Sequence, residues 1–278
     1  MLKEADLYGT AEDSAITRLP DGNYMIQNTD ILTPIVDDPY IQGKIAACNM
    51  TNDVFACGSD KISTALSFLA GPVEVPRQVF SGILRGMKDF LKDMGSEISG
   101  GHTIINPWVL LGGTATGFVD ETHLIRNSGV QPGDVLILTK PLGIQAAMAL
   151  FRVMKRPEYL ENIKESIPDV DVQGIVDAAV KTMVTSNQPV VKILNDLTDA
   201  NSKGFKIHAM TDVTGFGLIG HAENLALASS VDIEIECIPH IEGTLKLSNM
   251  MGYDMENGRA AETAGGMLIS IAKEHRTM

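Results

Sequence analysis

The sequence predicts a mixed α and β chain of two domains. Short runs rich in β-branched residues alternate with longer segments of helical period along the whole chain. A polar stretch from Asp120 to Gln131 interrupts that alternation and closes in the turn Gln131-Pro132-Gly133-Asp134. The length, 278 residues, allows two modest domains with a sizeable core. The boundary is placed near residue 125, giving a first domain of residues 1–125 and a second of residues 126–278.

Ser14 to Leu19 and Asn23 to Thr29 read as strands joined by Pro20-Asp21-Gly22, residues that suit a hairpin turn. Tyr40 to Cys57 is predicted as a helix ended by Gly58, and Ile62 to Leu69 as a strand. Arg77 to Met94 has a helical apolar period and stops at Gly95. Val109 to Val119 reads as a glycine-interrupted strand. In the second domain, Val135 to Thr139 is a predicted strand, followed by helices around Ile144 to Met154 and Val170 to Ser186. Ile207 to Thr211 is a strand, a helix starts near Leu218, and Val231 to Cys237 and Met267 to Ile271 are predicted as strands.

Composition narrows the function. Hydrophobic residues make up 44%, ordinary for a soluble protein, and no apolar run is long enough to span a bilayer. Met1-Leu2-Lys3-Glu4-Ala5-Asp6 is too acidic for a secretory signal, so a cytoplasmic protein without a membrane partner is expected. The net charge of −13 and the lack of a Lys/Arg cluster argue against nucleic acid, whose binding requires displacement of counterions by basic side chains. An acidic protein still binds phosphates when divalent cations bridge the two. The three cysteines, Cys48, Cys57 and Cys237, show no C-x-x-C or zinc spacing and are expected to be small buried apolar residues.

Acidic residues recur at strand ends and inside an apolar helix. Asp13 opens the first strand, Asp30 closes the second, and Asp37 and Asp38 follow. Asn49 and Asp53, four apart, share a helix face among Ala46, Ala47, Val54, Phe55 and Ala56. A carboxylate there is unfavourable unless paired, solvated or metal-bound. Oxygen ligands suit magnesium; a solvent-facing stripe is the plain alternative. In Thr211 to His221, Gly215, Gly217 and Gly220 spell G-x-G-x-x-G between a strand and a helix, with Glu234 roughly 20 residues on, as in a dinucleotide-binding turn. Asp212 and Thr214 crowd that turn with polar side chains, and regular βαβ units do not follow, so a tight turn without a cofactor competes with a nicotinamide site. Ser99-Gly100-Gly101-His102-Thr103 has two glycines after a strand that would let backbone N–H groups approach a phosphate; a structural His102 is the alternative.

Taken together, these segments resemble selenophosphate synthetase, also called selenide, water dikinase. The resemblance runs through Asn28-Thr29-Asp30, Thr33-Pro34-Ile35-Val36-Asp37-Asp38-Pro39-Tyr40, Ile45-Ala46-Ala47-Cys48-Asn49 with Asp53, and Gly100-Gly101-His102-Thr103. It continues through Leu138-Thr139-Lys140-Pro141-Leu142-Gly143, Thr211-Asp212-Val213-Thr214-Gly215-Phe216-Gly217 and Glu262-Thr263-Ala264-Gly265-Gly266, and Asn106-Pro107-Trp108 is similar to the eukaryotic-type branch. It implies an aminoimidazole ribonucleotide synthetase-like fold, an α/β domain followed by an α+β domain, shared with thiamine-monophosphate kinase and a hydrogenase maturation factor. The N-terminal domain would pair with its copy to close a β-barrel across a homodimer, with ATP in the cleft beside the C-terminal domain. The implied reaction turns selenide, ATP and water into selenophosphate, AMP and phosphate. On this resemblance Gly215, Gly217 and Gly220 belong to a fold other than the dinucleotide-binding one.

Residue by residue, Asp13, Asp53 and Asp212 fall on the family's magnesium aspartates, with Asn49 beside them. Thr10, Ala11, Glu12, Asp30, Asp53, Gly101, His102 and Thr103 fall on nucleotide positions. The family's catalytic Cys or selenocysteine and Lys lie on a glycine-rich N-terminal segment. Here the sequence begins just upstream of Glu12-Asp13, Lys3 is too close to the fold to be the counterpart, and no residue is assigned as catalytic. Ala264 stands where the family has Ser, and the family adds a helix and strand after the position of Ile271. These 278 residues are therefore expected to bind ATP with magnesium but to make little selenophosphate. A non-catalytic regulatory ATP-binding homologue and another ATP-using enzyme of the same fold are the alternatives.

Overall fold

The structure is a computed structural model that describes residues 12–200 and 204–276. Lys3, Thr10 and Ala11 lie outside the described residues. The first sheet has five strands: β1 (Ala15–Arg18), β2 (Tyr24–Leu32), β3 (Thr64–Gly71), β4 (Ile98–Ile105) and β5 (Leu110–Val119), in the order β1-β2-β5-β3-β4. The β1–β2 hairpin turns at Gly22 (φ 94°), where Asn23 N–H donates to Asp21 Oδ1 at 3.0 Å. Only β3 and β4 run parallel, because α2 (Arg77–Asp93) carries the chain back between them.

Helix α1 (Pro39–Ala56) lies on one face of this sheet. Its start follows from Asp38, whose carboxylate accepts from Tyr40 N and Ile41 N, and from Pro39 in the first turn. It stops at Cys57, before Gly58 turns left-handed at φ 94°. The helix is buried nearly all round, because β2 and β5 cover one side, α2 another, and second-domain elements a third. The contact with α2 is made at glycines. A Cβ on Gly43 would lie 2.0 Å from Ile83 O, and one on Gly86 would lie 1.9 Å from Tyr40 O. The helix backbones meet where any side chain would push them apart.

The second sheet has the order β6-β8-β7, from β6 (Val135–Leu138), β7 (Ile207–Asp212) and β8 (Met267–Ile271), all antiparallel. Around it run α3 (Ile144–Val153), α4 (Pro157–Ser166), α5 (Val172–Met183), α6 (Gln188–Asp199), α7 (Gly217–Ser229) and α8 (Thr244–Met251). Helix α3 begins at the carboxylate of Glu262, which accepts from Gly143 N at 2.8 Å and Ile144 N at 3.0 Å. Among the described residues no helix is long and apolar enough to cross a membrane.

Several expectations need correction. Val231 to Cys237 is not a strand. Val231, Ile233 and Ile235 do pack by alternate residues on a second-domain apolar cluster, but this extended segment has no ladder partner among the described residues. Period-two burial reports which side chains face inward, not whether the backbone is paired. Cys237 is exposed at its end, whereas Cys48 and Cys57 are buried. Gly100 and Gly101 sit inside β4 rather than after a strand. β7 borders an antiparallel sheet, so its G-x-G-x-x-G turn is a tight strand-to-helix junction and not the parallel βαβ crossover of a dinucleotide fold.

Gly43→Ala tests the α1–α2 contact. Alanine raises helix propensity by about 1 kcal/mol, whereas overpacking a close contact costs about 1–3 kcal/mol. A backbone oxygen cannot move aside as a side chain does, so net destabilisation is expected, read as a lower denaturant midpoint in chemical unfolding.

Candidate metal and nucleotide site

Three carboxylates converge from distant parts of the chain. Asp13 immediately precedes the hairpin, Asp53 projects from α1, and Asp212 ends β7. One oxygen from each lies within 4.8 Å of the others. Asp13 Oδ1 accepts from Asn127 Nδ2 at 3.1 Å and from Thr211 Oγ1 at 3.0 Å. Asp53 Oδ2 accepts from Asn28 Nδ2 at 2.5 Å. Asp13 Oδ2 and Asp212 Oδ2 are buried and have no donor among the described residues.

A second layer fixes this group. Asn49 Nδ2 donates to Asp30 Oδ2 at 2.8 Å, and Asn49 Oδ1 accepts from Ala264 N at 2.9 Å. The buried Lys140 donates to Ala264 O at 2.8 Å. Burial lowers the Lys140 pKa, while Cys48 and Asp212 nearby raise it. The loop before β8 is thus held to α1 by an asparagine and to the end of β6 by a lysine. Asn52 Nδ2 and Asn187 Nδ2 both donate to Gly265 O, at 3.3 and 2.8 Å, locking the same loop across the domains.

Burial and mutual repulsion push the acids up. Asp53 rises to about 11, first through burial and then through Asp212, Asp30 and Asp13. Asp212 lies well above the ordinary value through burial, then Asp13 and Asp30; Asn52 and Lys140 oppose this. Asp13 rises to about 6, mainly through burial, with Asn127 and Thr211 pulling it down. At this spacing each ionised pair repels by roughly 3–4 kcal/mol at an effective dielectric of about 20. The cluster therefore either keeps protons or takes a cation. An all-oxygen donor set with two unpartnered buried oxygens suits a hard divalent ion such as magnesium, which keeps waters and phosphate oxygens as its other ligands.

The structure places the other predicted residues as follows. Asp30 and Asn49 border the cluster, with both ends of the Asn49 amide engaged. Asp53 is half-buried in the cluster rather than on a solvent-facing stripe. Glu12 points to the linker, accepting from Asn127 N at 3.0 Å and pairing with Arg126 at 3.5 Å. Gly101, His102 and Thr103 line a separate groove of about 530 Å³, with Ser67, Arg85 and Lys88. None of Asp13, Asp30, Asp53 or Asp212 lines that groove. Sequence reasoning assigned no role to Asn28, Asn127 or Thr211. Asn28 had a signal, since it lies two residues before Asp30 and so on the same face of β2. Asn127 had none, because only the path of the linker brings it to Asp13.

These two packed domains define a two-domain protein of the AIR-synthase class. The model for "AIR synthase related protein, N-terminal domain" matches residues 11–119, and that for its C-terminal domain matches residues 131–277. The solved structure of AaThiL complexed with AMPPCP and TMP superposes with a TM-score of 0.75 at 20% identity, covering 98% of this chain and 83% of that one, which shows the fold. The selenide, water dikinase of Methanococcus maripaludis is 45% identical over 276 residues, 99% of this chain and 80% of the relative. That of Methanocaldococcus jannaschii is 43% identical over 277 residues, 99% of this chain and 77% of the relative. The chain belongs to the selenide, water dikinase family.

The cluster sets a pH dependence of stability. Asp13 moves from 3.8 to about 6, so the folded protein holds that proton more tightly than the unfolded chain. Its stabilising contribution is complete below the unfolded value and is lost as pH rises through about 6. Asp120 and Asp134 are lowered and act oppositely, but their contribution is already present above 3.8; His221, lowered from 6.5 to about 4, opposes the loss within this window, while Glu262, raised to about 7, and Asp53, raised to about 11, add to it. Metal-free protein is expected to lose thermal stability as pH rises from about 4 to 7, with Mg²⁺ opposing the loss, since a cation replaces the protons. Melting curves with and without Mg²⁺ check this; Asp212→Asn should flatten the dependence.

Proposed function

We propose that this chain binds ATP through magnesium at Asp13, Asp53 and Asp212 and serves the synthesis of selenophosphate from selenide, ATP and water, releasing AMP and phosphate. The observation that carries the reading is the trio of carboxylates, two half-buried and one buried, with unpartnered oxygens, in a chain 45% identical to a selenide, water dikinase. Bound there, a magnesium ion would neutralise phosphate charge. The protein's own groups would do the rest. Asn28 and Asn127 orient Asp53 and Asp13, Asn49 holds Asp30 at the edge of the nucleotide site, and Lys140 holds the loop from which Ala264 reaches Asn49. We take residue 125 as the junction of the two domains and the cytoplasm as the compartment.

Cys48 and Cys57 are buried, and burial pushes both thiols above the usual thiol range. Neither is suited to carry selenide, because the thiolate is the reactive form, and the exposed Cys237 lines a pocket that includes none of Asp13, Asp53 or Asp212. These 278 residues by themselves should therefore bind ATP with magnesium while releasing AMP slowly. Calorimetry with ATP and Mg²⁺, followed by phosphorus NMR with selenide added, tests this. Asp53→Ala is expected to weaken Mg²⁺-dependent ATP binding about a hundredfold, near 3 kcal/mol. Unchanged affinity in a folded variant sinks the assignment. Fast selenide-dependent AMP formation by these residues alone would overturn the view that a further nucleophile is needed. Tight ATP binding with no turnover under any supply of selenide would favour a regulatory homologue.

The homodimer belongs to the same reading. Ile31, Leu66, Ile104 and Phe118 share one face of the sheet and are 41–48% exposed. Both α1 and α2 cover the other face, so a second copy would close this one. Sedimentation at micromolar concentration should show a dimer, and Leu66→Asp a monomer; a wild-type monomer would contradict the proposal.

A further inference from the structure

Helix α7 carries a buried histidine that the cation site as described does not use. His221 is 5% exposed and lies one turn inside the helix that follows the Thr214-Gly215-Phe216 turn. The backbone N–H of Thr214 donates to His221 Nε2 at 3.0 Å. A backbone N–H only donates, so Nε2 must present its lone pair, and a neutral ring then carries its proton on Nδ1. Nδ1 lies 3.3 Å from Thr211 Oγ1. Burial lowers His221 to about 4, so the ring stays neutral at neutral pH.

Thr211 now has a fixed role. Its hydroxyl accepts from Nδ1–H and has one proton to give. Two acceptors lie in range, Asp13 Oδ1 at 3.0 Å and Asp212 O at 3.2 Å. The carboxylate, when ionised, is the stronger of the two. Asn127 Nδ2 donates to the same Asp13 oxygen at 3.1 Å. Oδ1 is thereby occupied twice, and Oδ2, buried without a donor among the described residues, is left for a cation.

We propose that His221 is a positioning residue of the cation site: held as the Nδ1–H tautomer by the Thr214 backbone, it directs the Thr211 hydroxyl at Asp13 and so selects which Asp13 oxygen meets the metal. The glycine-containing turn after β7 thus acts through its backbone, one residue ahead of its first glycine. This role rests on the cation site proposed above.

The test has two independent readouts. Long-range proton–nitrogen NMR of metal-free protein is expected to show His221 protonated at Nδ1 only; an Nε2–H ring overturns the proposal whatever the protein binds. Mn²⁺ affinity, read by electron paramagnetic resonance, is expected to fall about 10- to 100-fold in Thr211→Val and in His221→Gln. His221→Asn, which keeps an amide near the Nδ1 position, should lose less. The double variant Thr211→Val/His221→Gln should bind Mn²⁺ no more weakly than either single one, because both remove one chain of bonds. Thr211→Val is nearly isosteric and keeps the test available if His221→Gln fails to fold. Parental Mn²⁺ affinity in folded Thr211→Val, or losses that add, overturn the role. Weakened Mn²⁺ binding in the variants with no ATP binding by the parent would refute the proposed function and leave the positioning role standing.

Discussion

The repulsion among Asp13, Asp53 and Asp212 is the constraint on which the rest of this structure depends. Three carboxylates within 4.8 Å, one of them fully buried, are stable only when something neutralises them. The surroundings are arranged to permit that without collapse. Asn28, Asn127 and Thr211 each give one hydrogen bond to a chosen oxygen, and two oxygens are left open. The only lysine buried among the described residues, Lys140, reaches Ala264 O while its charge offsets part of that of Asp212.

Holding carboxylates from two domains in register requires a stiff reference, and α1 supplies it. Its apolar residues Ile45, Met50 and Phe55 are fully buried, contributing roughly 1.5–3 kcal/mol each. That burial offsets the desolvation of Thr51 and Asn52 in the same helix, whose polar groups are bonded to Ala47 O and Gly265 O. Across the junction, Cys48 Sγ donates to Thr185 O, and Gln188 Nε2 to Asp60 O and Met94 O. Ala264 accepts a left-handed backbone at φ 49°, a strain of about 1–3 kcal/mol that persists because its N–H and C=O are both held by side chains.

The overall charge agrees with this design. A net charge of −13 repels a free nucleotide, so an acidic protein that binds one needs cations at the point of contact. The cationic side chains beside the Gly101–Thr103 groove, Arg85 and Lys88, lie away from the carboxylates.

Much of the fold was legible because local chemistry determined it. Pro20-Asp21-Gly22 made the hairpin, Asp38-Pro39 and Gly58 bounded α1, and Gly95 ended α2, since turns and caps depend on nearby residues. Asp13 and Asp53 were legible as acids at a strand start and inside an apolar helix, whereas Asp212 was singled out only by the family resemblance. The sequence by itself determined which residues carry charge, where helices and turns begin, and that oxygen chemistry was available. The tertiary structure alone decided that Val231 to Cys237 stays unpaired, since pairing depends on where packing lays a segment relative to a strand edge. It alone brought Asn127 and Thr211 to Asp13, residues 114 and 198 positions away, because such contacts arise from domain packing and leave no trace in local periodicity.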